Sequence, residues 1–461
     1  MTRANQTALL PGFGALHLER IKMSSGVFRL SNLAFLFGLV AGCGSNYSGS
    51  GTSNSGGTTV NVAFAPATPS VAAVQVGSGA YQAEALTSGG LNFSLPSGTT
   101  TFAVAYVCNP LPQTVGVLQY ATTLETVVEA STADGTSATL WCPYTLQGDT
   151  QANPGGQTGA LTVNVNATGI PSASSLLVVA INGAQATQQL FASVNASGSF
   201  GAPIGTDRVE VFALDSSGDV VAARNVSSQT VPGSLNGGTA ILLGAADQTT
   251  SQSITYNNVP SQFRSPGVSA WFNLGPSGIL IGSFKTQYQY PALPAGATEN
   301  GDFYTWVASD VLNLSFSESV SVTVNSTSAG PMTFNFPAPW SYSGPTPAVR
   351  PTFDFSSYAG FSGKSGNVYG ASLFWTDGTN GAIGTSQYSV SVSASANYLN
   401  GATSITIPNL SSLHGFLPTP PTGADVTWGA QISQSSSSVL SVTQPNSTSS
   451  AAGNQGDYLE P

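Results

Sequence analysis

Charge is scarce in this sequence. Only 7% of its 461 residues are Asp, Glu, Lys or Arg, against about 25% in an average soluble protein. The surface must therefore be coated by Ser, Thr, Asn, Gln and Gly, as in exported β-proteins rather than cytosolic ones. Positive charge is the scarcest of all. Past Cys43 there are 6 basic and 19 acidic residues, a net of −13, with no Lys/Arg cluster. That balance disfavours nucleic acid and anionic lipid headgroups as direct partners, since both need basic patches.

Histidine is nearly absent. Of the two in the chain, His17 precedes Cys43 and only His414 follows it. Metal sites built on several histidines are excluded by that count, and no metal or cofactor is expected. A Ser-His-Asp triad would have to use His414. It sits in the turn-rich SSLHGFLP, and no G-x-S-x-G occurs in the chain. The competing reading is a surface or loop-capping histidine. No other catalytic signature stands out, so the chain is read as non-catalytic.

Long apolar runs are missing too. The run Leu33–Ala41 has nine residues. A membrane-crossing helix needs about 20, whereas a signal-peptide apolar region runs about 7–15. Arg29 precedes the run, and Val40-Ala41-Gly42-Cys43 closes it. Immediately afterwards comes GSNYSGSGTSNSGG, residues 44–57, which reads as a flexible tether. The VAGC segment resembles the lipobox of bacterial lipoproteins. That resemblance implies a leader over 1–42, acylation of Cys43 as the mature N-terminus, and a tether over 43–57. Residues 1–22 are polar and include Glu19, so Met23 is a more ordinary start than Met1. Gly44 stands where an Asp often signals inner-membrane retention in such proteins, which points to the outer membrane. The lipid then supplies the membrane attachment that the charge balance denies; one acyl chain binds marginally and several bind firmly.

Cysteine is rare: besides Cys43 there are only Cys108 and Cys142. In an exported chain a disulfide between them is the default. Each ends a strand-like run, TFAVAYVC and ATLWC.

What is abundant is alternation and turn chemistry. The chain has 52 Gly and 28 Pro, which argues for many turns and few long helices. Period-two runs dominate and predict an all-β fold of tandem antiparallel β-sandwiches, Ig-like or transthyretin-like. Three units are expected. Residues 58–147 hold VNVAFA, LNFSLPSG, TFAVAYVC and ATLWCPYTL, with a turn at Asp134-Gly135. A linker over 148–157 follows. Residues 158–260 contain six strand-like runs, with a hairpin at Ser216-Ser217-Gly218. Residues 261–431 form a larger, aromatic-rich unit, with a hairpin turn at Asp377-Gly378. The low-complexity tail, 432–461, is expected to lack structure. The stretch Val117–Ala130 has mixed helical and strand character.

The layout resembles envelope lipoproteins that begin with a small cysteine-paired β-domain. The resemblance rests on GSGAYQA, LNFSLPSG and FAVAYVC, then on FWTDG and ITIPNLSSLHGF. Those proteins carry no assigned activity, so the resemblance implies fold and address alone.

Carboxylates and aromatics remain as chemical groups. Glu299, Asp302, Asp310 and Glu318 are close in sequence, but a glycosidase needs two acids about 5–10 Å apart around a sugar cleft. Asp215 and Asp219 suggest a calcium loop, yet two acids fall short of calcium's six to eight oxygens, and a hairpin accounts for both. Five of six Trp lie in the third unit: Trp271, Trp306, Trp340, Trp375 and Trp428. Trp306 and Trp375 fall in strands and read as core. Trp340 and Tyr342 follow the Pro-rich FPAP and are candidates for stacking on sugar rings, with a core role as the alternative. Together these readings favour a lipid-anchored envelope protein with a structural or adhesive role, and after it a carbohydrate-binding lipoprotein.

Overall fold

The computed structural model describes residues 57–460 apart from 67, 88–89, 109–112, 116–117, 143–157, 183–184, 262–266, 275–276, 286–288, 312–317, 359, 362–365, 378–385, 437 and 441–446. The leader, Cys43, most of the tether and the linker over 148–157 lie outside these residues. The fold is all-β. The one α-helical turn among the described residues is Ala396–Leu399, capped at its start by the Ser395 side chain. The mixed stretch near Val117 is a long strand, Leu118–Ser131; its β-branched Thr and Val favour a pleated surface over a helix.

A 13-stranded sheet dominates. From one edge its strands run Ser277–Lys285, Gly267–Leu274, Phe303–Val311, Glu318–Ser326, Thr448–Leu459, Asp425–Ser435, Asn367–Thr376, Ser386–Ser395, Leu118–Ser131, Thr101–Cys108, Val71–Val76 and Gln82–Glu84, with Gln113–Val115 pairing onto Leu118–Ser131. Neighbours are antiparallel with one exception: Ser386–Ser395 lies parallel to Leu118–Ser131. That pair joins residues read as the first and third units, so the two share one sheet. Parallel neighbours need a long crossover, and here the crossover is the whole second unit and much of the third.

In the first unit, Gly90–Leu95, Thr58–Pro66 and Ser137–Cys142 form a second layer. Val60, Leu95, Phe102, Val104, Tyr106, Val128 and Leu140 fill the space between the layers. Alternate residues of Thr101–Cys108 belong to this core, while Ala103, Ala105 and Val107 belong to the main core on the other face. Coverage of both faces explains why that strand is a continuous apolar run rather than an alternating one. The expected disulfide is present. Cys108 and Cys142 are bonded with their Cα atoms 5.7 Å apart, stapling the two layers.

The second unit is a sandwich. One sheet runs Gln185–Phe191, Ser175–Asn182, Gly205–Leu214, Val220–Val231; the other runs Asn195–Pro203, Thr158–Asn166, Gly233–Ser234. At the expected hairpin the Asp215 Oδ1 accepts from the backbone N–H groups of Ser217 and Asp219. This carboxylate organises a turn, as the hairpin reading requires. The second unit is docked on the third: Val179, Ile181, Phe212, Val220 and Ala223 join the main core. Arg208 clamps the junction. Its Nη1 and Nη2 donate to both oxygens of Asp302 at 2.7 and 2.6 Å, and Nε and Nη2 donate to Glu210 at 3.0 and 2.6 Å. The strand Thr250–Asn257, read as the end of the second unit, pairs with Gln289–Ala292 and Met332–Asn335 of the third.

The tail expected to lack structure is ordered in its described parts. Thr448–Leu459 is a central strand, paired with Asp425–Ser435 on one side and Glu318–Ser326 on the other. Its small residues have a packing cause. A Cβ on Gly456 would sit 2.8 Å from the Trp428 indole, so only glycine lets that ring lie flat against the strand. Further back, Leu440 is buried in the core of the first unit. A buried polar ladder fixes the register here. Asn273 donates to Thr305 (2.9 Å), Thr305 to Asn325 (2.6 Å), and Asn325 to Ser447 (2.8 Å). A one-residue slip would break this ladder and turn each strand's faces over.

Two acids are buried on Leu118–Ser131. The Glu125 Oε2 accepts from the Leu417 backbone N–H at 3.0 Å, which ties the loop around His414 to the first unit. Glu129, beside Tyr81 and Tyr398, is pushed by burial up to about 7 from an ordinary 4.5. The folded chain keeps a proton there that the unfolded chain releases. Stability therefore falls as pH rises from about 4.5 to about 7. Urea midpoints should be higher at pH 5 than at pH 8. Glu129→Gln should flatten that difference by on the order of 2–3 kcal/mol; an unchanged slope would rule this carboxyl out as a source.

Candidate functional site

An open groove of about 550 Å³ lies on the third unit. It is lined by Glu318, Ser341, Tyr342, Ser343, Asp354, Ser357, Asn454 and Gln455. Four elements meet there. Glu318 and Asn454 are directly opposite each other on paired strands. The Pro-rich loop after Met332–Asn335 brings Ser341–Ser343 across them. The short strand Thr352–Asp354 ends at Asp354, with Ser357 in the turn beyond.

Tyr342 is the aromatic of the groove, and its ring is fixed from behind. It stacks on Trp340 with centroids 5.0 Å apart and planes at 20°, and meets Trp428 edge-on at 5.6 Å. Its backbone N–H donates to the Asn454 Oδ1, and its hydroxyl oxygen accepts from the Asp354 N–H, both at 3.3 Å. Burial is the main cause holding its phenol above the usual range. Of the two aromatics expected to stack on sugars, only Tyr342 reaches the groove. Trp340 is 2% exposed. Its indole N–H donates to Ser357 at 3.0 Å, its carbonyl accepts from Asn454, and its ring stacks on Phe355. The loop reading of this Pro-rich stretch is right, but the loop lies across the sheet and drives the indole into the core. Trp306 and Trp375 are core, as expected.

The remaining sequence candidates are dispersed. Asp302 and Glu299 share a turn, with the Glu299 N–H donating to Asp302 at 2.7 Å, but their carboxylates face Arg208. The backbone of Asp310 lies in Phe303–Val311; its side chain is outside the described residues. His414 is exposed on its turn. Among the described residues no three His, Cys, Asp or Glu side chains gather as a metal would require, and no helix is long and apolar enough to cross a membrane.

No known family model and no curated protein matches this chain.

The groove must therefore be judged on its chemistry. Glu318 accepts from the Ser341 hydroxyl at 2.5 Å, and Asp354 accepts from the N–H and hydroxyl of Ser356. Both keep free lone pairs. A rigid ring, two carboxylates, two amides and three hydroxyls around an open trough suit a hydroxyl-rich ligand. Asp354, Asn454 and Gln455 were not singled out in the sequence. Asp354 lies more than thirty residues along the chain from Glu318, and the other two fall in the tail read as low-complexity. No local signal marks any of them.

Proposed function

We propose that this chain is a lipid-anchored envelope protein with a non-catalytic structural or adhesive role, held through Cys43 in the outer membrane. What supports the reading is the continuity of the β-body. One sheet knits the first and third units together, and Arg208 fixes the second unit to them. A continuous β-body behind a Gly/Ser tether is suited to displaying a surface at a distance from a membrane. In cells given an alkyne-tagged fatty acid, the protein should take up label and sediment with membranes, and Cys43→Ala should lose both. Label retained in that variant would sink the anchor reading.

A second reading, a carbohydrate-binding lipoprotein, is favoured by the Tyr342 groove. A glycan panel read by tryptophan fluorescence should show binding, because Trp340 and Trp428 touch Tyr342. Tyr342→Ala should weaken that binding by about 1–3 kcal/mol, the range for losing one aromatic contact in a defined pocket. Because Glu318 and Asp354 share the groove, the same panel should be assayed for new reducing ends. None is expected, and their release would replace binding by hydrolysis.

A further inference from the structure

We propose that the Tyr342 groove selects glycans bearing free amino groups, binding the ammonium of a hexosamine between Tyr342 and the carboxylates of Glu318 and Asp354. This rests on the carbohydrate-binding reading above and adds the charge of the sugar. The argument starts from where the chain's few cations go. Arg208 is engaged by Glu210, Asp302 and Glu299, and Arg224 by Asp247 at 2.6 Å. The Arg208 pairs serve the docking of the second unit, and the Arg224 pair lies within that unit. The groove carries two more carboxylates, and among the described residues no Lys, Arg or His lines it. Among the described residues neither Glu318 nor Asp354 has a cationic partner; their hydrogen bonds come from serines.

Concave walls of one sign concentrate the opposite charge. A ligand ammonium would supply what the lining lacks, through charge-assisted hydrogen bonds roughly twice as strong as neutral ones. The Tyr342 ring adds a cation–π surface. That ring is already held by Trp340, Trp428, Asn454 and the Asp354 backbone, so little ordering is needed on binding. Gln455 and the three serines remain for sugar hydroxyls. N-acetylation would remove the charge on the ligand, and a uronic acid would reverse it.

The test is calorimetry on the purified full chain at about pH 6, where amino sugars carry a proton. Glucosamine oligomers, N-acetylglucosamine oligomers of equal length and oligogalacturonate are compared. The glucosamine oligomer should bind about tenfold or more tighter than its acetylated counterpart, and its affinity should fall as salt is raised. Glu318→Gln and Asp354→Asn, both isosteric and near the surface, should each cut that affinity about five- to tenfold and cut the affinity for the acetylated oligomer by a smaller factor; near-UV circular dichroism checks that each variant keeps its fold. Equal affinity for the first two oligomers would overturn the charge selection while leaving the carbohydrate reading intact. Tighter binding of oligogalacturonate, or glucosamine binding unmoved by both variants, would overturn the proposal at this groove. No binding to any of the three would overturn both readings together.

Discussion

Arg208→Met should destabilise the protein by about 3–5 kcal/mol, the cost of stranding buried partners of an ion pair. The side chains of Glu210 and Asp302 are 0% and 4% exposed, and Arg208 is the cation that both contact. Met keeps much of the apolar stem and removes all the donors. The loss should appear in urea unfolding as an earlier transition in which the second unit leaves the body, because Asp302 belongs to the third unit and Arg208 to the second. The pH dependence separates this cause from simple misfolding. Lowering the pH lets the stranded carboxyls take protons, so the gap between variant and parent should narrow toward pH 5. A gap of constant size across pH would mean that charge is not the reason for the loss.

Reducing the disulfide should cost about 4 kcal/mol in the chain-entropy account, for two cysteines 34 residues apart. The bond joins layers that otherwise touch only through side chains, since Cys108 is in the 13-stranded sheet and Cys142 in the three-stranded one. Cys108→Ala with Cys142→Ala should reproduce the loss, because both positions lie in an apolar core that accepts a methyl group. Urea midpoints with and without reductant measure it. An unchanged midpoint in the double variant would show that the layers hold without the staple. The first unit should loosen before the third, and Tyr106, whose hydroxyl donates to the Trp141 carbonyl at 2.9 Å, lies beside the bond and can report the event.

Much of this was legible in the residues. Period-two runs such as VNVAFA gave the strands, Ser216-Ser217-Gly218 gave a hairpin, and two cysteines at strand ends gave a staple. What escaped has common physical causes. Alternation reports one strand's faces, not its neighbour, so the parallel pairing of Leu118–Ser131 with Ser386–Ser395 left no local trace. Small residues look the same whether they are free or pressed under an indole, which hid Thr448–Leu459, with Gly456 beneath Trp428. The Gly- and Ser-rich strand Asn195–Pro203 carries equally little apolar signal. The groove was half visible. Trp340 and Tyr342 were both flagged beside a proline run, but only the folded chain shows that Trp340 is buried, and the distant Asp354, Asn454 and Gln455 needed the fold before they could be placed at all.

The central position of Thr448–Leu459 sets the order in which this molecule can assemble. Its ladder partner Asn325 is 122 residues before Ser447, and Thr126 meets Ser391 across 265 residues. Such separations make for a high contact order and slow folding. Until the late strand arrives, Glu318–Ser326 and Asp425–Ser435 are two unsealed edges rather than neighbours in a sheet. A chain built this way cannot seal its large sheet until Thr448–Leu459 has been made, because both of that strand's neighbours lie earlier in the sequence.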